Sequence, residues 1–285
     1  MRGDAHTPPQ ASPLPSAGPI WFPSVMGTGI LGTLLQSHAH HLPGAEYGAL
    51  VSLALSWVLL AVISLIFIFR SLRHPSVFIE SVTSPAIAPF WGAVSLGIMS
   101  VGSATSLVIP THFPSLAPIA WAVESIMWII GTIIGIISAI TFGVRLLGLN
   151  LGTPSTIWGL AIVGPMLSAT TGATLAPHIR SENMPFLLFF AGVCFFLSFF
   201  LGLLIFAYTY HYHWRIAPIP LEKSASAWIP LGLVGQSMAA AQALALQVRP
   251  MVRPIMQDAS ASIANFYSWV IFFGSIPLII WALKV

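Results

Sequence analysis

Charged residues divide this chain into long apolar intervals. No Asp, Glu, Lys or Arg occurs between Glu46 and Arg70, Glu80 and Glu124, Glu124 and Arg145, or Arg145 and Arg180. The same holds from Glu182 to Arg215, Lys223 to Arg249 and Asp258 to Lys284. A helix needs roughly 20 residues to cross a hydrocarbon core about 30 Å thick, so each interval has room for one crossing. The hydrophobic runs predict eight spans: Ile20 to Gln36, Tyr47 to Phe69, Phe90 to Ile109, Ile119 to Leu147, Thr156 to Ala176, Phe186 to Tyr210, Trp228 to Val248 and Ile263 to Leu283. The fourth run is long, yet too short for two crossings. None alternates polar and apolar residues as barrel strands do, and inside lipid a helix satisfies its own backbone. The expected class is an all-α polytopic membrane protein.

The odd spans share an opening. Span one begins Trp21-Phe22-Pro23 and reaches Gly27 and Gly29; span three begins Trp91-Gly92 and reaches Gly97. Span five begins Trp158-Gly159 and reaches Gly164-Pro165; span seven begins Trp228-Ile229-Pro230 and reaches Gly232 and Gly235. A short Ser/Thr/Pro segment precedes each. Span two is instead rich in Leu, Val and Ile, and span six carries Phe186, Phe189, Phe190, Phe195, Phe196, Phe199 and Phe200. Bulky side chains suit lipid tails, whereas small residues let helices approach or line a cavity. The pattern predicts helical hairpins repeated around a central pore, odd helices inside and even helices outside. Packing of helix on helix is the competing use of any one of these glycines.

Composition agrees with the class. Hydrophobic residues make up 56% and charged residues 6%, with mean hydropathy +0.90, against about 25% charged in soluble domains. The net charge of +3 comes from basic residues scattered singly, so no nucleic-acid partner is expected. Cys194 is the single cysteine, which excludes a disulfide framework and a cysteine metal site. Residues 1–17 hold Pro8, Pro9, Pro13 and Pro15 and read as a disordered cytoplasmic tail ahead of a transmembrane transport domain, 18–285. Arg2, Arg70, Arg73, Arg145, Arg215, Lys223 and Lys284 fall on one side, and Arg180, Arg249 and Arg253 on the other. The excess of positive charge places both termini in the cytoplasm, with the plasma membrane as the expected location.

The odd spans supply neutral polar groups: Ser24, Thr28, Thr33 and Gln36; Ser95, Ser100 and Ser103; Ser168, Thr171 and Thr174; and Gln236, Ser237 and Gln242. They contain no acidic residue. A cation path would use an intramembrane Asp or Glu, so its absence favours anions or neutral solutes. Pro23, Pro165 and Pro230 predict interrupted helices whose N–H groups face an anion. Glu124 is the one acidic residue within a span; it reads as snorkelling or bonded to a neighbouring helix, with proton coupling as the sharper alternative. His38, His40 and His41, and His211 and His213, fall on opposite sides by the charge assignment and read as interfacial loop residues. The chain has no phosphate-binding Gly/Lys loop, and no Ser-His-Asp order or paired carboxylate can be singled out. Neither enzyme activity nor a cofactor nor a metal is expected.

The stretch Trp21-Phe22-Pro23-Ser24-Val25-Met26-Gly27-Thr28-Gly29 resembles the first helix of the tellurite-resistance/dicarboxylate transporter family. Ala225-Ser226-Ala227-Trp228-Ile229-Pro230-Leu231-Gly232-Leu233-Val234-Gly235-Gln236-Ser237 is similar to that family's seventh helix, with Ala227 and Leu233 replacing a Ser and a Pro. His74-Pro75 followed by Phe90-Trp91-Gly92 resembles its second loop and third helix. The likeness runs from about Ile20 to Leu283 and lies nearest the malate and sulfite branch. It implies ten helices in five hairpins around a pseudo-fivefold pore, commonly as a homotrimer. Against that pattern the sequence ends after the eighth span, which predicts C-terminal truncation. The gating phenylalanine of the channel-type members lies on the ninth helix, so nothing in this sequence inherits its role.

The resulting expectation is a membrane transporter or channel for small anions: a C4-dicarboxylate such as malate, or a sulfite-like oxyanion. Its partners are the solute and the lipid bilayer. The permeation pathway is assigned to Met26, Gly27, Thr28, Gly29, Ser95, Gly97, Gly164, Pro165, Ser168, Gly235, Gln236 and Ser237. Two further readings stay open: a membrane-embedded metalloenzyme built on the histidines, and a non-transporting truncated remnant.

Overall fold

The computed structural model describes residues 18–148 and 151–285, without the side chain of Ile255. The expected N-terminal tail, 1–17, lies outside the described residues. Regular structure among the described residues is entirely helical. The long helices are α1 (Phe22–Ser37), α2 (Ala45–Arg73), α4 (Phe90–His112), α5 (Ala117–Gly148), α6 (Leu160–Leu175), α7 (Met184–Arg215), α8 (Ile229–Val248) and α9 (Pro254–Lys284). A short α3 (Pro75–Thr83) follows α2.

Local chemistry explains most boundaries. α2 starts after Gly44, held at a φ of 80°, and ends before His74-Pro75, where the residue preceding proline disfavours helix. Pro23 and Pro230 occupy the first turns of α1 and α8, where no amide hydrogen is required. They start helices and do not interrupt them. Pro165 lies inside α6, and the helix continues past it to Leu175. The expectation of broken helices is therefore corrected. α7 runs on to Arg215, so His211 and His213 are helical and not in a loop. α5 is one unbroken helix, as its length requires.

The loop expected after span two folds into α3. Phe78 and Ile79 are exposed, while buried Ser81 accepts a hydrogen bond from Trp91 Nε1 at 3.3 Å. An Arg145 N–H from the end of α5 donates to the Val82 carbonyl. Those two bonds tie α3 to the ends of two long helices.

Seven stretches among the described residues are long and apolar enough to cross a membrane. The remaining run, the first of the eight, is α1, whose 16 residues reach only about 24 Å. The single 3-10 turn Pro19–Trp21 extends it at the start.

The described residues form four antiparallel hairpins: α1–α2, α4–α5, α6–α7 and α8–α9. The first members also pack side by side, α1 on α4, α4 on α6 and α6 on α8. They run parallel. Gly29 meets Ser100, Ser95 meets Gly164, and Gln236 meets Thr170, each at a similar offset along the chain. α5 spans from α4 to α6, and α7 from α6 to α8. Trp21, Trp91, Trp158 and Trp228 stand 70, 67 and 70 residues apart, which makes the repeat measurable. Three inner helices are entered through 3-10 turns containing the tryptophan.

Burial follows position in this arc. The spans containing α4 and α6 are 78% and 89% buried, against 44% for α5 and 39% for α7. The inner-versus-outer contrast holds there. The α8 span is 22% buried: it packs on three helices, α6, α7 and α9, whereas α4 and α6 each pack on four. Met99, Ile162, Met166, Phe195, Ile205 and Phe206 form the main core between α4, α5, α6 and α7.

Candidate permeation site

The four inner helices carry the residues singled out in the sequence, and the fold sorts them into two groups. The first is a packed seam. Ser95 is fully buried and donates to the Gly131 carbonyl of α5 at 2.6 Å. A Cβ on Gly164 would stand 2.8 Å from Gly135 Cα and 2.9 Å from Ser95 Oγ, so three helices meet at one point where only glycine fits. Ser168, also fully buried, donates to the Gly164 carbonyl at 3.1 Å and accepts from Thr132 Oγ1 at 2.9 Å. Its carbonyl accepts from Trp128 Nε1 at 3.0 Å. Pro165 is buried beside it. In a hydrocarbon solvent such interhelical bonds replace those that water would supply.

Gly29 and Gly97 extend the seam toward α1. A Cβ on Gly29 would lie 2.7 Å from Ser100 Oγ, and one on Gly97 would lie 3.4 Å from Phe22 and Val25. Ser237 is buried on α8 and bonds its own helix at Val234.

The second group lies on the more exposed faces of α1 and α8, where Gln242 donates to Asn265 Oδ1 and Ser268 Oγ of α9. Gly27 and Gly235 are exposed, with nothing within 4 Å of an added Cβ. On α1 the exposed positions Ser24, Gly27, Leu31 and Leu34 follow helical spacing. On α8 the stripe is Trp228, Gly232, Gly235, Ala239, Gln242 and Leu246. Met26 is half-buried against the main core. Thr28 Oγ1 donates to the Ser24 carbonyl at 2.8 Å, and Ser24 Oγ to the Trp21 carbonyl at 2.6 Å. Gln236 joins α8 to α6 through Nε2 and Thr170 Oγ1, 2.6 Å apart. Its second amide hydrogen remains available.

Of the candidates, Ser95, Gly97, Gly164, Pro165 and Ser168, with Gly29 of α1, lie in the seam, Gly27 and Gly235 face open space, and Met26, Thr28, Gln236 and Ser237 lie between the two. Sequence reasoning missed Thr170, the partner of Gln236, because its hydroxyl looks like any other on α6. It also missed the use of the Trp-Gly openings. A Cβ on Gly92 would collide with the carbonyl of Leu160 and reach within 3.0 Å of Ala161 Cα. One on Gly159 would lie 3.2 Å from Ile229 Cγ2 and 2.6 Å from Phe206. Each of these glycines admits the start of the next inner helix. The Thr156 and Ser226 hydroxyls, 2.6 Å apart, join the entry turns of α6 and α8 at the same rim.

Glu124 does not snorkel. It is 1% exposed, packed between α5 and α4. Among the described residues no group of three His, Cys, Asp or Glu side chains lies close enough together to hold a metal ion.

The profile of one protein family, described as voltage-dependent anion channel, matches residues 16–285. Sulfite efflux pumps of Arthroderma otae and Trichophyton rubrum are each 26% identical to the chain over 171 residues. Those matches cover 58% of this chain and 44% of each pump. A transporter of Methanocaldococcus jannaschii is 24% identical over 226 residues, 77% of this chain and 63% of that protein. The chain thus matches between about two fifths and two thirds of the length of these relatives.

Proposed function

The chain belongs to the voltage-dependent anion channel family, and from that membership we propose that it forms part or all of a membrane pathway for small anions. The solute is a sulfite-like oxyanion or a C4-dicarboxylate such as malate, and the protein moves it without chemical conversion. Sulfite has the more direct support, since the pumps similar to this chain are named for it.

One observation carries the reading. The inner helices pack through glycines and neutral hydroxyls, and α1 and α8 turn Gly27, Gly232 and Gly235 toward open space. A path lined by neutral donors binds an anion weakly enough to release it. In this structure the Ser24 and Thr28 hydroxyls donate back to their own helix. Rotation about χ1 redirects them toward a passing anion. Gly27, Thr28, Gly235 and Gln236 then form the solute-facing part of the pathway. Ser95, Gly97, Gly164, Pro165 and Ser168 act behind it, holding the inner helices in register, with Met26, Gly29 and Ser237 beside them.

The proposal places both termini in the cytoplasm of a plasma-membrane protein, with a homotrimer as the assembly. Labelling of single cysteines introduced at loop positions on either side of the bilayer tests the orientation. Proteoliposomes holding the purified protein, loaded with labelled sulfite or malate, test the activity. Flux driven by voltage or by a pH gradient is expected for at least one anion. Its absence for both, with the helical fold intact, removes the proposal.

A further inference from the structure

One buried ionisable group takes no part in the pathway described above. Glu124 lies about two turns into α5 and is 1% exposed, and neither Oε1 nor Oε2 has a hydrogen-bond partner. α4 presses against it. A Cβ on Gly102 would stand 3.5 Å from Glu124 Cα and 3.0 Å from Met127 Cβ. The Ser106 hydroxyl of α4 lies beside the carboxyl, but donates its hydrogen to the Ser103 carbonyl at 3.0 Å.

Among the described residues no titratable group on the surrounding elements forms an ion pair with Glu124. α4 contributes His112 at its last position, with Nε2 buried and unpartnered. α6 has none between Leu160 and Leu175; the turn after it brings His178, whose ring stacks on Trp121 with centroids 3.4 Å apart. α7 carries Cys194, Tyr208, Tyr210, His211, Tyr212, His213 and Arg215. Arg145 of α5 lies roughly 30 Å further along the same helix. The ion pairs found among the described residues, Arg180 with Glu182 and Arg249 with Asp258, involve neither Glu124 nor its neighbours.

An ionised carboxylate buried without a partner is far more costly than a neutral carboxylic acid. The tight seam accommodates the acid. The ionised form needs either water or the Ser106 hydroxyl swung away from Ser103, and both loosen the contact between α4 and α5. Because α4 is an inner helix, that contact also sets the position of part of the proposed pathway.

We propose that Glu124 is a proton-binding site, holding one proton while α4 and α5 are closely packed and releasing it as the seam loosens, so that anion passage depends on pH. The transport part rests on the function proposed above; the proton site does not. Infrared spectra of the full chain in lipid, taken across a pH series, are expected to show a carboxylic-acid C=O band near neutral pH that Glu124→Gln lacks. Absence of that difference overturns the proton site. Amide exchange along α4 and α5 is expected to accelerate, relative to Glu124→Gln, as the band is lost. Equal exchange in the two proteins overturns the link to the seam.

In flux measurements the wild type is expected to show a pH step that Glu124→Gln abolishes while still transporting. The same step in both overturns the coupling. No flux in either, with band and exchange as expected, removes the transport reading and leaves the proton site standing. Should Glu124→Gln fail to fold, Ser106→Ala decides. It deletes the hydroxyl available to the ionised form and is expected to move loss of the band to higher pH, and an unmoved band overturns the seam mechanism.

Discussion

Two sets of glycines on the same four inner helices meet opposite surroundings. On α4 and α6, Gly92, Gly97 and Gly164 lie against the backbone or side chains of a neighbouring helix. On α1 and α8, Gly27, Gly232 and Gly235 have nothing near them. The residue type is identical and the helices are repeats of one another, so composition cannot separate the two uses. What separates them is whether a neighbouring helix covers that face of the stave: on α1 itself Gly29 meets Ser100 while Gly27 meets nothing. α4 and α6 are flanked on both sides by inner helices and backed by outer ones, whereas α8 packs on α6, α7 and α9 and leaves a stripe free.

The sharpest way to break this comparison is Gly92→Ala. Its new methyl group meets the Leu160 carbonyl and the Ala161 backbone, neither of which can yield like a side chain. The expected loss is about 3 kcal/mol or more, the upper end for overpacking, read as a fall in thermal stability in detergent. A Gly92→Ala protein as stable as the wild type would show that the α4–α6 contact is not close. Gly164→Ala is expected to cost about 1–3 kcal/mol, since the Gly135 backbone it meets is 2.8 Å away.

Gly235→Ala is the contrast, with open space around it. It is expected to leave stability unchanged or to raise it by up to about 1 kcal/mol, the helix preference for alanine over glycine. A loss comparable to Gly92→Ala would erase the distinction between the two sets. Gly235→Leu adds bulk at the same place. It is expected to preserve the fold and to cut anion flux in proteoliposomes about tenfold, equivalent to about 1.4 kcal/mol on the barrier. Unchanged flux would remove Gly235 from the pathway.

Trp57→Phe gives a smaller effect. The indole donates to Thr105 Oγ1 at 3.0 Å and joins α2 to α4. Its loss is expected to cost about 0.6 kcal/mol, the average for a polar contact between membrane helices. Arg249→Ala removes a partly exposed pair with Asp258, and no measurable change in stability is expected.

Legibility in the sequence follows the range of the interactions involved. The helices were readable because lipid imposes one backbone solution on any long apolar run, and the gaps between charges mark the runs. The repeat was readable because Trp21, Trp91, Trp158 and Trp228 open equivalent turns. α3 was missed because nine residues with a mixed face resemble a loop until Trp91 and Arg145 bind them. Pro165 looked like a break, yet the helix continues past it while its flanks are held by buried packing on α5 and α7.

Chain chemistry by itself determined the class, the hairpin repeat and the scarcity of charge within the spans, all of which follow from hydropathy and spacing along one dimension. Only the tertiary structure decided which small residues are packing surfaces and which face open space. Glycine records the absence of a side chain, and whether that absence is filled by a backbone or by a solute depends on helices about seventy residues away. Glu124 makes the same point for charge. Its place in α5 is plain from the sequence, but its isolation depends on Gly102 and Ser106 of α4 closing over it.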